Sequence, residues 1–163
     1  MYYFAYGSNM SRSRLRERVP SAENLGYFMS EHDLRFHKSS KDGSAKCDAY
    51  FTSDGEDAVY GVLFKIDPKE KSALDKAEGL GHGYNAKEVT VTDHSAFPIT
   101  AITYVAMDIN ESLKPYTWYV NHVLVGAREA SLPSDYIESK ITSVEAIEDI
   151  DKIRDAKQRA IHS

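Results

Sequence analysis

Glu78 is the side chain best placed for acid-base chemistry. On a helix that begins near Pro68, Leu74 lies one turn before it and Ala73 and Ala77 flank the pair, so the carboxylate emerges on or beside the apolar stripe. Desolvation there disfavours the charged form and raises the pKa towards the range useful for proton transfer near neutral pH. An ordinary last-turn glutamate facing water ahead of a Gly79 cap has the same spacing. A second candidate is Tyr6-Gly7-Ser8-Asn9, between a strand and a helix. Glycine permits close backbone approach, and the following helix start offers free N–H groups, together a cradle for an anion or a developing oxyanion. Turn geometry and capping also account for Gly, Ser and Asn at such a junction.

Tyr84, Trp118 and Tyr119 form a third group, since tyrosine combines an apolar wall with a hydroxyl, as small-ligand pockets require. With 11 tyrosines in the chain, packing competes with this use at every position. The six histidines show no ligand spacing, so no metal is assigned, and only His82, inside a glycine-rich loop, stands near the candidates. Ser8 lacks the G-x-S-x-G context of a nucleophile, and Gly79 to Gly83 lacks the third glycine of a dinucleotide fingerprint.

The elements that must position these residues are legible in part. Residues 2–6 form an aromatic strand ending at Gly7, a short helix follows over about 11–18, and four β-type runs come next, near 25–30, 33–38, 46–52 and 58–66. Asp67, Pro68 and Glu70 mark a helix start, and that helix runs to about Ala77. Strands near 86–93 and 98–106 precede helices expected at 116–129, 134–144 and 146–161. In the last, Ile147, Ile150, Ile153 and Ile161 fall near helical spacing and predict a face packed on the sheet. Sheet first and helices afterwards give an α+β class, with enough strands to curl into a small barrel, within one domain spanning 1–163.

Composition narrows the partners. A net charge of -5 supplies no field that draws the chain to nucleic acid or anionic lipid. Arg12, Arg14, Arg16 and Arg18, interrupted by Glu17, are expected to form a solvated helix face, with substrate steering as the alternative. One cysteine, Cys47, forms no internal disulfide, and no apolar run approaches the ~18 residues that span a bilayer. A cytoplasmic location with no membrane partner follows as the expectation.

Taken in order, Tyr3-Phe4-Ala5-Tyr6-Gly7-Ser8-Asn9-Met10, Val59-Tyr60-Gly61-Val62, Leu74-Asp75-x-x-Glu78-Gly79 with Gly83-Tyr84, Gly126-Ala127-Arg128-Glu129 and Leu132-Pro133-x-x-Tyr136 resemble the gamma-glutamylcyclotransferase family. The resemblance implies a mixed β-barrel with flanking helices and a cofactor-free reaction. In it the α-amine of a γ-linked glutamyl group attacks its own side-chain carbonyl, releasing 5-oxoproline and an amine or amino acid. It implies Glu78 as acid and base, Gly7, Ser8 and Asn9 as the substrate cradle, Tyr84 and Tyr119 as pocket residues, and Tyr6 as support for the loop. A glutathione-degrading branch carries Y-G-S-L followed by tryptophan, so Asn9 and Met10 disfavour glutathione. A binding module without turnover and a hydrolase that sends water to the carbonyl are the competing readings; retention of Glu78 argues against the first.

Overall fold

The structure is a computed structural model that describes all 163 residues. Five strands close into a barrel in the order β1-β5-β2-β6-β7: β1 (Tyr2–Ala5), β2 (Glu23–Ser30), β5 (Val59–Lys65), β6 (Tyr84–Thr92) and β7 (Pro98–Ala106). The sheet is mixed, because β7 meets β1 in parallel at Tyr3 and Ile102 while the other pairings are antiparallel. Tyr3, Phe4 and Ala5 of β1 are all buried, as befits a strand covered on both faces. Val62, Leu63 and Phe64 of β5 pack beside them in a core that also takes in Leu74, Val91 and Val123. An α+β barrel with flanking helices is therefore the architecture.

A two-stranded sheet, β3 (Asp33–Ser39) and β4 (Ala45–Tyr50), lies outside the barrel. Asp48 fastens it. One carboxylate oxygen accepts the Ala106 N–H at 2.8 Å, and the other meets His37 Nε2 at 2.7 Å, both side chains being buried. Further bonds run from Ser39 N–H to Asp108 O and from Asn110 N–H to His37 O, each 2.8 Å.

The helical elements are α1 (Arg12–Arg16), α2 (Lys71–Glu78), α3 (Thr117–Glu129), α4 (Ser134–Tyr136), which continues as a π-helix over Ile137–Thr142, and α5 (Lys152–Ala160). No helix is long and apolar enough to cross a membrane. Ahead of α2, Asp67 caps a short 3-10 turn through the Lys69 N–H, with Pro68 at its first position. Gly79 ends α2 in the left-handed region at φ 64°. Its N–H bonds Lys76 O while Leu80 N–H bonds Asp75 O, the paired closure of a Schellman motif. Glu78 is thus pinned at the mouth of the helix rather than left in a fraying turn.

The C-terminal expectation needs correction. The last helix begins at Lys152, not near 146, because Asp151 accepts the Arg154 N–H as its N-cap. Ile147 instead pairs in extended form with Tyr116. The isoleucines form no packed face: Ile150 is 93% exposed and Ile153 83%. Buried Asp149, which accepts Trp118 Nε1 at 2.9 Å and Arg154 Nε at 2.6 Å, anchors the segment in place of apolar contact.

Candidate active site

A cavity of about 160 Å³ opens where the end of β1, α1, the end of α2 and the β3–β4 sheet converge. Tyr6, Gly7, Ser8, Asn9, Glu78, Tyr84 and Tyr119 all line it, so the two leading candidates and two of the three aromatic ones are brought to one place. His82 and Trp118 are not among the lining residues; Trp118 is committed to Asp149.

Leaving β1, the chain forms a 3-10 turn over Ser8–Met10. The first bond of that turn runs from Met10 N–H to Gly7 O at 3.1 Å, so the turn leaves the N–H groups of Ser8 and Asn9 without partners of its own. Gly7 is required by close approach: a Cβ there would lie 2.9 Å from the Cys47 Cβ. Tyr6 donates its hydroxyl to Tyr104 O and ties the start of the turn to β7.

Asn9 reaches across the cavity. Its Nδ2 donates to Glu78 Oε1 at 2.6 Å and to the Tyr3 hydroxyl at 3.1 Å. Burial pushes the Glu78 carboxyl above the ordinary carboxylate range; Arg18, Arg14, Lys38 and the Asn9 bond pull in the opposite direction without cancelling it. The outcome is a carboxyl group whose proton affinity is enhanced while its charged form keeps partners.

Tyr84 and Tyr119 grip the main chain of one residue, Cys47, at its C=O and its N–H. Tyr84 donates its hydroxyl to Cys47 O at 2.7 Å, whereas the Tyr119 hydroxyl accepts the Cys47 N–H at 3.0 Å. Their remaining capacities differ accordingly: Tyr119 retains its proton to donate and Tyr84 retains lone pairs to accept. Burial raises both phenols well above their usual value, so both stay protonated.

Four cations complete the walls: Arg14, Arg18, Lys38 and Lys46. The arginine stretch is therefore not uniformly a solvated face. Arg12 and Arg16 are exposed, while Arg14 and Arg18, four residues apart, turn to the cavity. Their i, i+4 spacing was the available signal. Nothing local marks Lys38 and Lys46, which arrive through the β3–β4 sheet; Lys46 pairs with Asp42 at 2.9 Å. Glu78 is the single acid among the lining residues. No group of three or more His, Cys, Asp or Glu side chains is arranged to hold a metal.

Comparison with known proteins locates this arrangement. The model of the AIG2-like family matches residues 58–139. Gamma-glutamylcyclotransferase from Bos taurus is 35% identical over 171 residues, covering 95% of this chain and 89% of the relative. The protein of that name from Homo sapiens is 34% identical over 149 residues, covering 88% and 78%. A solved gamma-glutamyl cyclotransferase structure superimposes with a TM-score of 0.86 at 27% identity, covering 99% of this chain and 98% of the other. Likeness over nearly the whole of both chains, in sequence and in fold, makes this chain a member of the gamma-glutamylcyclotransferase family and an enzyme of cyclotransferase type.

Proposed function

We propose that the enzyme converts a γ-glutamyl amino acid to 5-oxoproline and the free amino acid, with Glu78 as the group that moves the proton. The observation that carries this reading is the enclosed Glu78 carboxylate, held by Asn9 in a cavity whose other charges are all positive. A γ-glutamyl amino acid carries two carboxylates and one ammonium, which matches several cations and one acid. A γ-glutamyl amine has one carboxylate fewer and matches less well.

In the proposed reaction Glu78 takes a proton from the substrate's α-ammonium, and the freed amine attacks the γ-carbonyl carbon to close a five-membered ring. The oxyanion that forms lies against the N–H groups of the turn at Gly7, Ser8 and Asn9. Protonated Glu78 then delivers its proton to the leaving nitrogen and the C–N bond breaks; the regenerated carboxylate takes the second hydrogen from the ring nitrogen and passes it to the departing amine, which leaves as its ammonium. Its raised proton affinity suits both halves of this exchange. Tyr119 offers a proton and Tyr84 a lone pair to the substrate's polar ends, and Tyr6 supports the turn. Intramolecular attack needs positioning above all, which a preformed cavity supplies.

The experiment compares γ-glutamyl-alanine, γ-glutamyl-methylamine and the γ-glutamyl isopeptide of lysine, following 5-oxoproline release. The expected order places γ-glutamyl-alanine first. Free glutamate instead of 5-oxoproline would identify a hydrolase and overturn the cyclisation; equal kcat/KM for the methylamide would overturn the choice of leaving group.

A further inference from the structure

Arg14 is reached from an unexpected quarter. Its Nη1 donates to Gln158 Oε1 at 3.1 Å, although Gln158 lies on α5, 144 residues further along the chain and outside the cavity lining. Guanidinium only donates, so the amide oxygen of Gln158 must be the atom that faces it. The same oxygen lies 2.9 Å from His122 Nε2, which must therefore carry a hydrogen. His122 Nδ1 is then an acceptor for His162 Nε2, 2.6 Å away, and His162 Nδ1 faces Ser11 Oγ at 3.4 Å. Ser11 Oγ in turn accepts the Arg14 backbone N–H at 3.4 Å.

These bonds form a ring that leaves Arg14 by its main chain and returns to it by its side chain, each hydrogen having one acceptor. His122 is fully buried and burial pushes it down to about 3, so the ring stays in its neutral-imidazole form at ordinary pH. Arg14 Nε is enclosed and has no partner in the protein, which leaves part of the guanidinium fork uncommitted.

We propose that Gln158 is a positioning residue of the active site: through its amide oxygen, the C-terminal helix sets the Arg14 guanidinium against the Glu78 cavity, where it receives a substrate carboxylate. The carboxylate assignment rests on the proposed function; the positioning of Arg14 does not. Gln158 touches no substrate. Its action runs entirely through Arg14.

The test is steady-state kinetics on the full chain with γ-glutamyl-alanine. Replacing Gln158 by Leu removes the acceptor, and KM is expected to rise about tenfold with kcat nearly unchanged, the size of one lost charge-assisted bond. Gln158→Glu keeps an acceptor for both donors and is expected to restore KM to near the parent value. Arg14→Leu is expected to raise KM as well, and adding Gln158→Leu to it should change KM by less than about twofold, since coupled residues do not add. Should Gln158→Leu fail to fold, Gln158→Asn, which draws the amide back by one methylene, is expected to raise KM in the same direction.

A parental KM in the folded Leu or Asn variant, or full additivity with Arg14→Leu, would overturn the proposal, as would a Glu variant no better than Leu. If the parent released no 5-oxoproline, the functional reading would fail instead. Calorimetric titration of the same variants with γ-glutamyl-alanine would then decide the positioning role through Kd.

Discussion

Asn9 Nδ2 lies 2.6 Å from Glu78 Oε1, joining the turn after the first strand to the end of a helix 69 residues later. This bond ties the turn to the Glu78 carboxylate, and it lowers that group's proton affinity against the larger, upward effect of burial.

Replacing Asn9 by Leu removes a donor that holds Glu78 down against the upward pull of burial. The Glu78 pKa then rises further. Because the proposed first step needs the ionised carboxylate, the acid limb of the kcat/KM profile is expected to move to higher pH. A profile measured from pH 4 to 9 decides this, and a limb that stays in place would contradict the linkage.

Glu78→Gln keeps an acceptor for Asn9 and removes the proton carrier. A fall in kcat of about 10²- to 10⁴-fold is expected for loss of a general acid and base, with an unchanged circular dichroism spectrum. Turnover at the parent rate would refute the assigned role.

The same variant should be more stable than the parent at neutral pH. A carboxyl whose folded pKa is raised holds its proton where the unfolded chain has released it, so its contribution to stability is intact below the ordinary value of 4.5 and is lost as pH rises through the folded value. Glutamine carries no such loss. Thermal unfolding should show a higher Tm for Glu78→Gln at pH 7, by about 2–4 °C per kcal/mol of relief, with the gap closing near pH 4.

Gly7→Ala would bring a methyl group to 2.9 Å from Cys47 Cβ, a distance that forces the turn or β4 to shift. We expect destabilisation of about 1–3 kcal/mol from overpacking and a loss of kcat/KM as the cradle moves. Pairing it with Cys47→Gly removes the opposing Cβ. Recovery of kcat/KM in that double variant, followed by 5-oxoproline release, is the expected result.

Cys47 lines the cavity yet is buried, and burial pushes its thiol up to about 12. Thiolate is therefore scarce at neutral pH. Alkylation by iodoacetamide at pH 7.5, read by mass spectrometry, should be slow in the folded enzyme and fast only in denaturant.

How much of this was legible in the sequence varied with the distance over which residues must be brought together. Asp67, Pro68 and Glu70 announced the start of the helical segment ahead of Glu78, and Gly79 announced its end, because caps are local chemistry. The barrel strands were marked by their own patterns. By contrast, the isoleucines near 150 have a helical period that the chain does not use: Asp149 binds Trp118 and Arg154, and Asp151 starts the helix at Lys152 rather than near 146. Polar anchoring overrode apolar spacing. The cationic walls were legible only in the arginine pair, since Lys38 and Lys46 enter through a sheet whose docking depends on Asp48 meeting Ala106, 58 residues away. Gln158 lay beyond local inference altogether.

The small sheet outside the barrel has a consequence for how this enzyme could diversify. Its two strands carry Lys38, Lys46 and Cys47 to the cavity, while the turn and Glu78 are anchored on the barrel and α2. One wall of the cavity thus occupies a stretch of chain that is exchangeable separately from Glu78 and the turn. Substitutions in residues 33–50 other than Lys38 would reshape one wall of the cavity while leaving Glu78 and the Gly7–Asn9 turn in place, so exchange of one hairpin is a route to new selectivity on an old scaffold.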